Sequence, residues 1–330
     1  MMGGLESLIH GRKIARTSID QPPVFVLGFW RSGTTLLHNL MCEDPQFVYP
    51  SLYETVFPHH FLLTEDIATK LTSWMVPDSR PMDNVKVSWS TPQEDDVALC
   101  VLSLLSPYTL LAFPSELEDA RRSLFLDQLP AKDKEAWQNA LLLLLKKITL
   151  RHKGKRVVLK SPSHTYRVKV LTEMFPDAKF VYIYRNPFDV FNSTCHLRRT
   201  MIDENTLGKT KYVNLEEDIL LLYQMAFEAY ERDRQLIPEG NLHEIRYEDL
   251  AANPLEELEK VYGGLGLNGF ETVKQIVAPQ VPQIKRYKKN RFVPDEYWMK
   301  RVASDWADAF ERFDYPPVLK TPEAADQVAA

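Results

Sequence analysis

Pro23-Val-Phe-Val-Leu-Gly28-Phe-Trp-Arg31-Ser32-Gly33-Thr34-Thr35-Leu-Leu-His-Asn-Leu-Met41 changes its periodicity in the middle. The apolar run that ends at Gly28 reads as a buried parallel strand. From Gly33 to Cys42 the apolar residues Leu36, Leu37, Leu40 and Met41 fall at helical spacing, and Asp44-Pro45 ends the helix. A strand, a G-x-x-x-x-G loop and a helix N-terminus form a phosphate cradle. The glycines let the backbone turn so that N–H groups point inward, and the helix end adds partial positive charge. Ser32, Thr34 and Thr35 add hydroxyls and Arg31 a cation. A nucleoside triphosphate loop would carry Lys where Thr34 stands, with a Mg²⁺ to manage the charge. This loop lacks that Lys, and Tyr184-Arg185 offers a cation where a metal-holding Asp would be expected. The expected ligand therefore has less charge at its reacting end than a γ-phosphate, and no metal is expected.

Outward from this stretch, strands are predicted at Arg156–Lys160, Lys179–Tyr184 and, more weakly, Asn241–Arg246. Helices are predicted at 93–106, 131–151, 164–174, 188–199, 214–236, 254–265 and 295–313. Strands alternating with helices give an α/β fold, a central, mainly parallel sheet with helices on both faces. Its ligand belongs at the carboxyl ends of the strands. Residues 46–92 are rich in Pro and aromatics and read as irregular structure with short helices. They form either a wall of an acceptor pocket or the core of an insertion. No linker or repeat interrupts the chain. The division expected is an N-terminal segment 1–22, one domain 23–320 with acceptor-side insertions at 46–92 and 200–215, and a tail 321–330.

The 330 residues, 45% hydrophobic, suffice for a sizeable core. A net charge of −5 argues against nucleic acid as a partner, so any anion site is local. Cys42, Cys100 and Cys195 have no metal or disulfide spacing. The polar start of the chain does not resemble a signal peptide, and the most apolar run, Ala140–Leu145, is too short for a membrane span. A cytoplasmic enzyme without a transmembrane segment is expected.

Two motifs in order, residues 25–37 and 179–193, resemble those of the sulfotransferases that use 3′-phosphoadenosine 5′-phosphosulfate and release adenosine 3′,5′-bisphosphate. The first resembles the family's 5′-phosphosulfate loop, in the Arg form of bacterial-type and tyrosylprotein members rather than the Lys form of the cytosolic type. The second resembles its 3′-phosphate segment, an Arg at a strand end and a Ser eight residues later, here Arg185 and Ser193. The resemblance implies a phosphate-loop-like sulfotransferase architecture and sulfo transfer to an acceptor hydroxyl or amine of a small molecule, glycan or lipid. It implies donor contacts from Arg31, Ser32, Gly33, Thr34, Thr35, Arg185, Ser193 and Tyr247, and from the basic loop with Arg286 and Lys288. Lys160 matches a Lys that related members carry near the bridging oxygen, so Arg31 and Lys160 are expected to meet the leaving charge. Glu54 matches the position of the tyrosylprotein-type base. His59, His60 and Glu94 are the alternatives for that role. A phosphate-loop kinase or NTPase and a non-catalytic nucleotide-binding protein are the rival readings.

Overall fold

The computed structural model describes residues 2–79, 86–112, 121–207, 214–286 and 295–318. Five strands among them, β1 (Val24–Leu27), β2 (Phe47–Val48), β3 (Arg156–Lys160), β4 (Lys179–Tyr184) and β5 (Leu242–Arg246), form a parallel sheet in the order β2-β3-β1-β4-β5. Alternate residues of each strand serve opposite faces. Phe25, Leu27, Leu159, Phe180 and Tyr182 join one buried cluster. Val24, Val26, Val158, Val181 and Ile183 join the other. Both faces being covered, β1 is wholly apolar, as central strands of parallel sheets are, whereas the edge strand β5 carries His243 and Glu244. From β1 the chain turns to the β3–β2 side, whereas β4 leads to β5. The crevice beyond the carboxyl ends of β1 and β4 is therefore the switch point where such sheets bind ligands.

Helix Ala131–Arg151 covers the first face through Trp137, Leu141, Leu144, Leu145 and Ile148, all fully buried at i, i+3 and i+4 spacing. Burial of each such side chain contributes roughly 1.5–3 kcal/mol. Helices Thr34–Cys42 and Pro254–Gly264 line the other face.

Several boundaries differ from the sequence expectation. The polar segment before residue 22 forms a helix, Met2–Arg16, against Ala131–Arg151, with Glu6 buried and 2.5 Å from Lys147. Phe47–Val48 pairs in register with Arg156–Val157 as an edge strand too short to show periodicity. The helix expected over 93–106 spans Asp95–Ser103, because Leu104 turns left-handed at φ 59°. The helix expected over 164–174 divides into a 3₁₀ turn, Pro162–Tyr166, and Val168–Met174. The helix after β4 runs Pro187–Asn205, so the acceptor-side insertion expected from residue 200 begins as helix. That expected over 295–313 breaks at Trp306. Among the described residues no helix is long and apolar enough to cross a membrane.

His38 sits fully buried on helix Thr34–Cys42, beneath the cradle. Burial first, then the nearby Lys160 cation, pushes its pKa down to about 3. The folded imidazole stays neutral where the unfolded one protonates, so its contribution is intact above about pH 6.5 and is lost as pH falls towards 3. A His38→Leu variant should lose less stability than the wild type between pH 7 and pH 5, by about 2 kcal/mol in urea titrations. Parallel pH dependence of the two proteins would contradict a neutral His38.

Candidate functional site

The loop after β1 is built where no side-chain carbon fits. A Cβ on Gly28 (φ +141°) would stand 2.5 Å from the Ile183 carbonyl oxygen, and one on Gly33 (φ +105°) 2.2 Å from the Tyr247 ring. Only glycine tolerates both the conformations and the approach. Between them Arg31 itself takes φ 68°, an uncommon conformation for a residue with a side chain. Two contacts hold it. Arg31 Nε donates to Ser193 Oγ at 2.9 Å, and Arg185 Nη1 donates to the Arg31 carbonyl at 3.2 Å. The Gly28 N–H donates to Thr165 Oγ1 at 2.9 Å. The loop is thus tied to the segments after β3 and β4.

Arg185 leaves the end of β4 and extends across the crevice. Its Nη2 donates to Asp189 at 3.0 Å, and its guanidinium lies 4.6 Å from the centre of the Tyr247 ring. Its Nε is buried without a hydrogen-bond partner among the described residues. Tyr247, the first residue after β5, therefore packs against both Gly33 and Arg185. Arg31, Gly33, Thr34, Thr35, Arg185, Ser193 and Tyr247 all line one cleft of about 1430 Å³. Two guanidiniums, a helix N-terminus and an aromatic ring in one cleft suit a ligand with two anionic ends and a planar ring.

The opposite wall carries a carboxylate. Glu94 precedes helix Asp95–Ser103 and lines the cleft. Its Oε1 lies 2.6 Å from Lys160 Nζ, at the end of β3, and its Oε2 accepts from the Tyr108 hydroxyl. Lys160 is almost wholly buried and is not itself among the cleft's lining residues; its ammonium stands behind Glu94, which is. The same cleft is also lined by apolar side chains, Val97, Val101, Leu110, Leu197, Met201 and Ile202.

The other residues singled out in the sequence lie elsewhere. Glu54 is buried in a capping box, its carboxylate accepting from the Ser51 N–H at 2.8 Å, with Arg151 and His152 nearby. It is not among the cleft's lining residues. His59 and His60 border a separate cavity of about 650 Å³ beside helix Met2–Arg16. Ser51-Leu-Tyr-Glu54 has the Ser-x-x-Glu spacing of a capping box, a signal for this cap that the sequence carries. Ser32 turns its hydroxyl inward to the Phe29 carbonyl at 2.8 Å. Arg286 is exposed and outside the lining, where Lys285 stands instead, and Lys288 lies outside the described residues. Unforeseen are Tyr108 and Arg198. Arg198 follows Ser193 by five residues on the same helix, off the i+3 and i+4 positions that share a face, so helical spacing gave no pointer to it. Tyr108 carried no signal, because only its fold contact with Glu94 distinguishes it. Among the described residues no three or more His, Cys, Asp or Glu side chains group to hold a metal ion.

Comparison with known proteins gives a consistent result. A family model described as "Sulfotransferase family" matches residues 22–272. The omega-hydroxy-beta-dihydromenaquinone-9 sulfotransferase Stf3 of Mycobacterium tuberculosis and that of Mycobacterium bovis are each 34% identical over 324 residues, covering 98% of this chain and 82% of theirs. Among solved structures, sulfotransferase STF9 from Mycobacterium avium superposes with a TM-score of 0.69 at 17% identity, over 96% of this chain and 82% of its own. Sulfotransferase STF1 from Mycobacterium tuberculosis gives 0.64 at 22% identity, over 87% and 80%. These two share the fold.

A methyl group at Gly33 would have to displace the Tyr247 ring and, with it, the surface on which Arg185 rests. Gly33→Ala should weaken binding of adenosine 3′,5′-bisphosphate by about tenfold or more in calorimetry, a loss of about 1.4 kcal/mol. Unchanged affinity would separate Gly33 and Tyr247 from the binding site.

Proposed function

The chain belongs to the sulfotransferase family, and we propose that it moves a sulfo group from 3′-phosphoadenosine 5′-phosphosulfate to a hydroxyl on an apolar, lipid-like acceptor, with Glu94 as the base. The observation that carries this reading is the set of groups gathered at one cleft. Arg31 and Arg185, the glycine cradle, Glu94 with Lys160 paired behind it, and a set of apolar side chains all belong to that one cleft.

The donor fits the residues present. The start of helix Thr34–Cys42, whose N-cap Gly33 has no side chain to cap its free N–H groups, and the unpartnered Nε of Arg185 suit phosphate oxygens at two points. Thr34, Thr35 and the helix N-terminus would hold the 5′-phosphosulfate, Arg185 and Ser193 the 3′-phosphate, and Tyr247 the adenine side. In the transfer, the acceptor oxygen bonds to sulfur as the bond from sulfur to the bridging phosphate oxygen breaks. Glu94 takes the acceptor's hydroxyl proton, and adenosine 3′,5′-bisphosphate leaves with the electron pair. Arg31 and Lys160 meet the charge that grows on the bridging oxygen, where fixed cations lower the barrier most. Glu94 suits the base role because Lys160 and Tyr108 each hold one of its oxygens on the wall between donor and acceptor sides.

The acceptor class rests on two supports. Val97 and Val101 on one helix, and Leu197 and Met201 on another, give i, i+4 apolar pairs that line the same cleft as Glu94 and offer it an apolar limb. The relatives at 34% identity are named for an omega-hydroxylated dihydromenaquinone. A hydrocarbon chain laid along this limb would bring its terminal hydroxyl to Glu94.

With radiolabelled donor, long-chain prenyl alcohols should be sulfated with kcat/KM at least about tenfold above that of a chainless phenol. Equal rates would reject the lipid-like acceptor. On the better acceptor, Glu94→Gln should lower kcat by about 10²–10⁴-fold. Glu54→Gln should keep most of its rate but melt lower; if both variants lost rate alike, Glu94 would not be the sole base.

A further inference from the structure

Three consecutive carboxylates stand at the start of helix Asp95–Ser103, and they reach the last residue of β3 and the short segment that follows it. Glu94 meets Lys160. Asp95 accepts from Ser161 Oγ at 2.9 Å and lies 2.7 Å from His164 Nε2. Asp96 accepts from Ser163 Oγ at 2.5 Å and pairs with Arg167 at 3.2 Å, while its own N–H donates to Ser161 Oγ at 3.0 Å. Asp95, Asp96, His164 and Arg167 are almost or wholly inaccessible to solvent. Burial alone would raise the Asp95 pKa, but His164 and Ser161 hold it below the ordinary value.

Stability alone is a weak reason for such an arrangement. Buried ion pairs lose most of their attraction to desolvation, and well-packed apolar residues often serve as well. What a fully satisfied polar network does supply is one fixed geometry. The covalent connections say which geometry is fixed. Glu94 is the residue before Asp95, and Lys160 is the residue before Ser161. Ser161 bridges both aspartates, donating to the side chain of one and accepting from the backbone of the other. The same segment, through Thr165, receives the N–H of Gly28 in the phosphate cradle.

We propose that the Asp95–Ser161–His164 and Asp96–Ser163–Arg167 contacts form a clamp of positioning residues that sets Glu94 and Lys160 relative to the cradle for sulfo transfer. The clamp residues touch neither donor nor acceptor; they act through Glu94. A shift of helix Asp95–Ser103 by about 1 Å would move the carboxylate off the line between acceptor and donor, a displacement that can cost about a hundredfold in rate. This inference rests on Glu94 being the base.

The test compares Ser161→Ala, Glu94→Gln and the double variant, assayed with radiolabelled donor and a long-chain prenyl alcohol. Ser163→Ala, which removes the serine's contacts with Asp96 and Arg167 but leaves Ser161 in place, is the second variant should Ser161→Ala fold poorly. Folding is checked by melting and by calorimetric affinity for adenosine 3′,5′-bisphosphate. Ser161→Ala should lower kcat by about ten- to a hundredfold while donor KM and bisphosphate affinity stay within about twofold. In the double variant the losses should not multiply, and its kcat should match that of Glu94→Gln alone. If the losses multiply, or if both serine variants keep kcat within about twofold while Glu94→Gln is inactive, the clamp is overturned and Glu94 stands. If Glu94→Gln itself keeps its rate, the base assignment falls and the clamp falls with it.

Discussion

The contact between a loop that has no room for side-chain carbon and the strands beside it organises this molecule. Gly28 presses on the backbone of β4 and Gly33 on the face of Tyr247. Because the loop lies so close, the side chains that follow β3, β4 and β5 all reach it. Thr165, Arg185 with Ser193, and Tyr247 are the first such contacts on each path. A wider loop would leave the same residues on the same strands but no common cleft between them. Arg31 takes its uncommon backbone conformation within this constraint, with partners at both its guanidinium and its carbonyl.

The electrostatics follow the same economy. A chain of net charge −5 gathers cationic side chains around one cleft and balances them with nearby acids. Arg185 leans on Asp189, Lys160 on Glu94, and Arg198 on Asp218 at 3.7 Å. Each pairing limits repulsion among the cations, which would otherwise destabilise the compact state. The short segment Lys160–Arg167 is where this balance meets the sheet. It contacts the cradle through Thr165 and the helix bearing Glu94 through four further side chains.

The strand–loop–helix at residues 23–42, the strand-end Arg185 and the helical Ser193 were all legible in the chain, because each is fixed by local periodicity and by spacing within one supersecondary unit. The three long strands, their parallel order and the two-sided core followed from alternation of apolar runs with helices. The two-residue β2 and the polar helix Met2–Arg16 were not, since the first is too short to show a period and the second is held by a single buried pair, Glu6 with Lys147, 141 residues apart. Glu54 illustrates the converse error. Its position relative to the phosphate loop matched a catalytic base, but a serine three residues earlier had already claimed its carboxylate for a helix cap.

The chain by itself determined the phosphate cradle, the absence of a triphosphate-type lysine and the parallel sheet, because these depend on conformations and periods that span only a few residues. Tertiary structure alone decided which acid faces the cradle. Glu94, Tyr108 and Lys160 are brought together across up to 66 residues of sequence. Nothing in local spacing encodes that meeting. It arises from the packing of helix Asp95–Ser103 against the end of β3, where buried charges must find opposite partners or remain costly to bury.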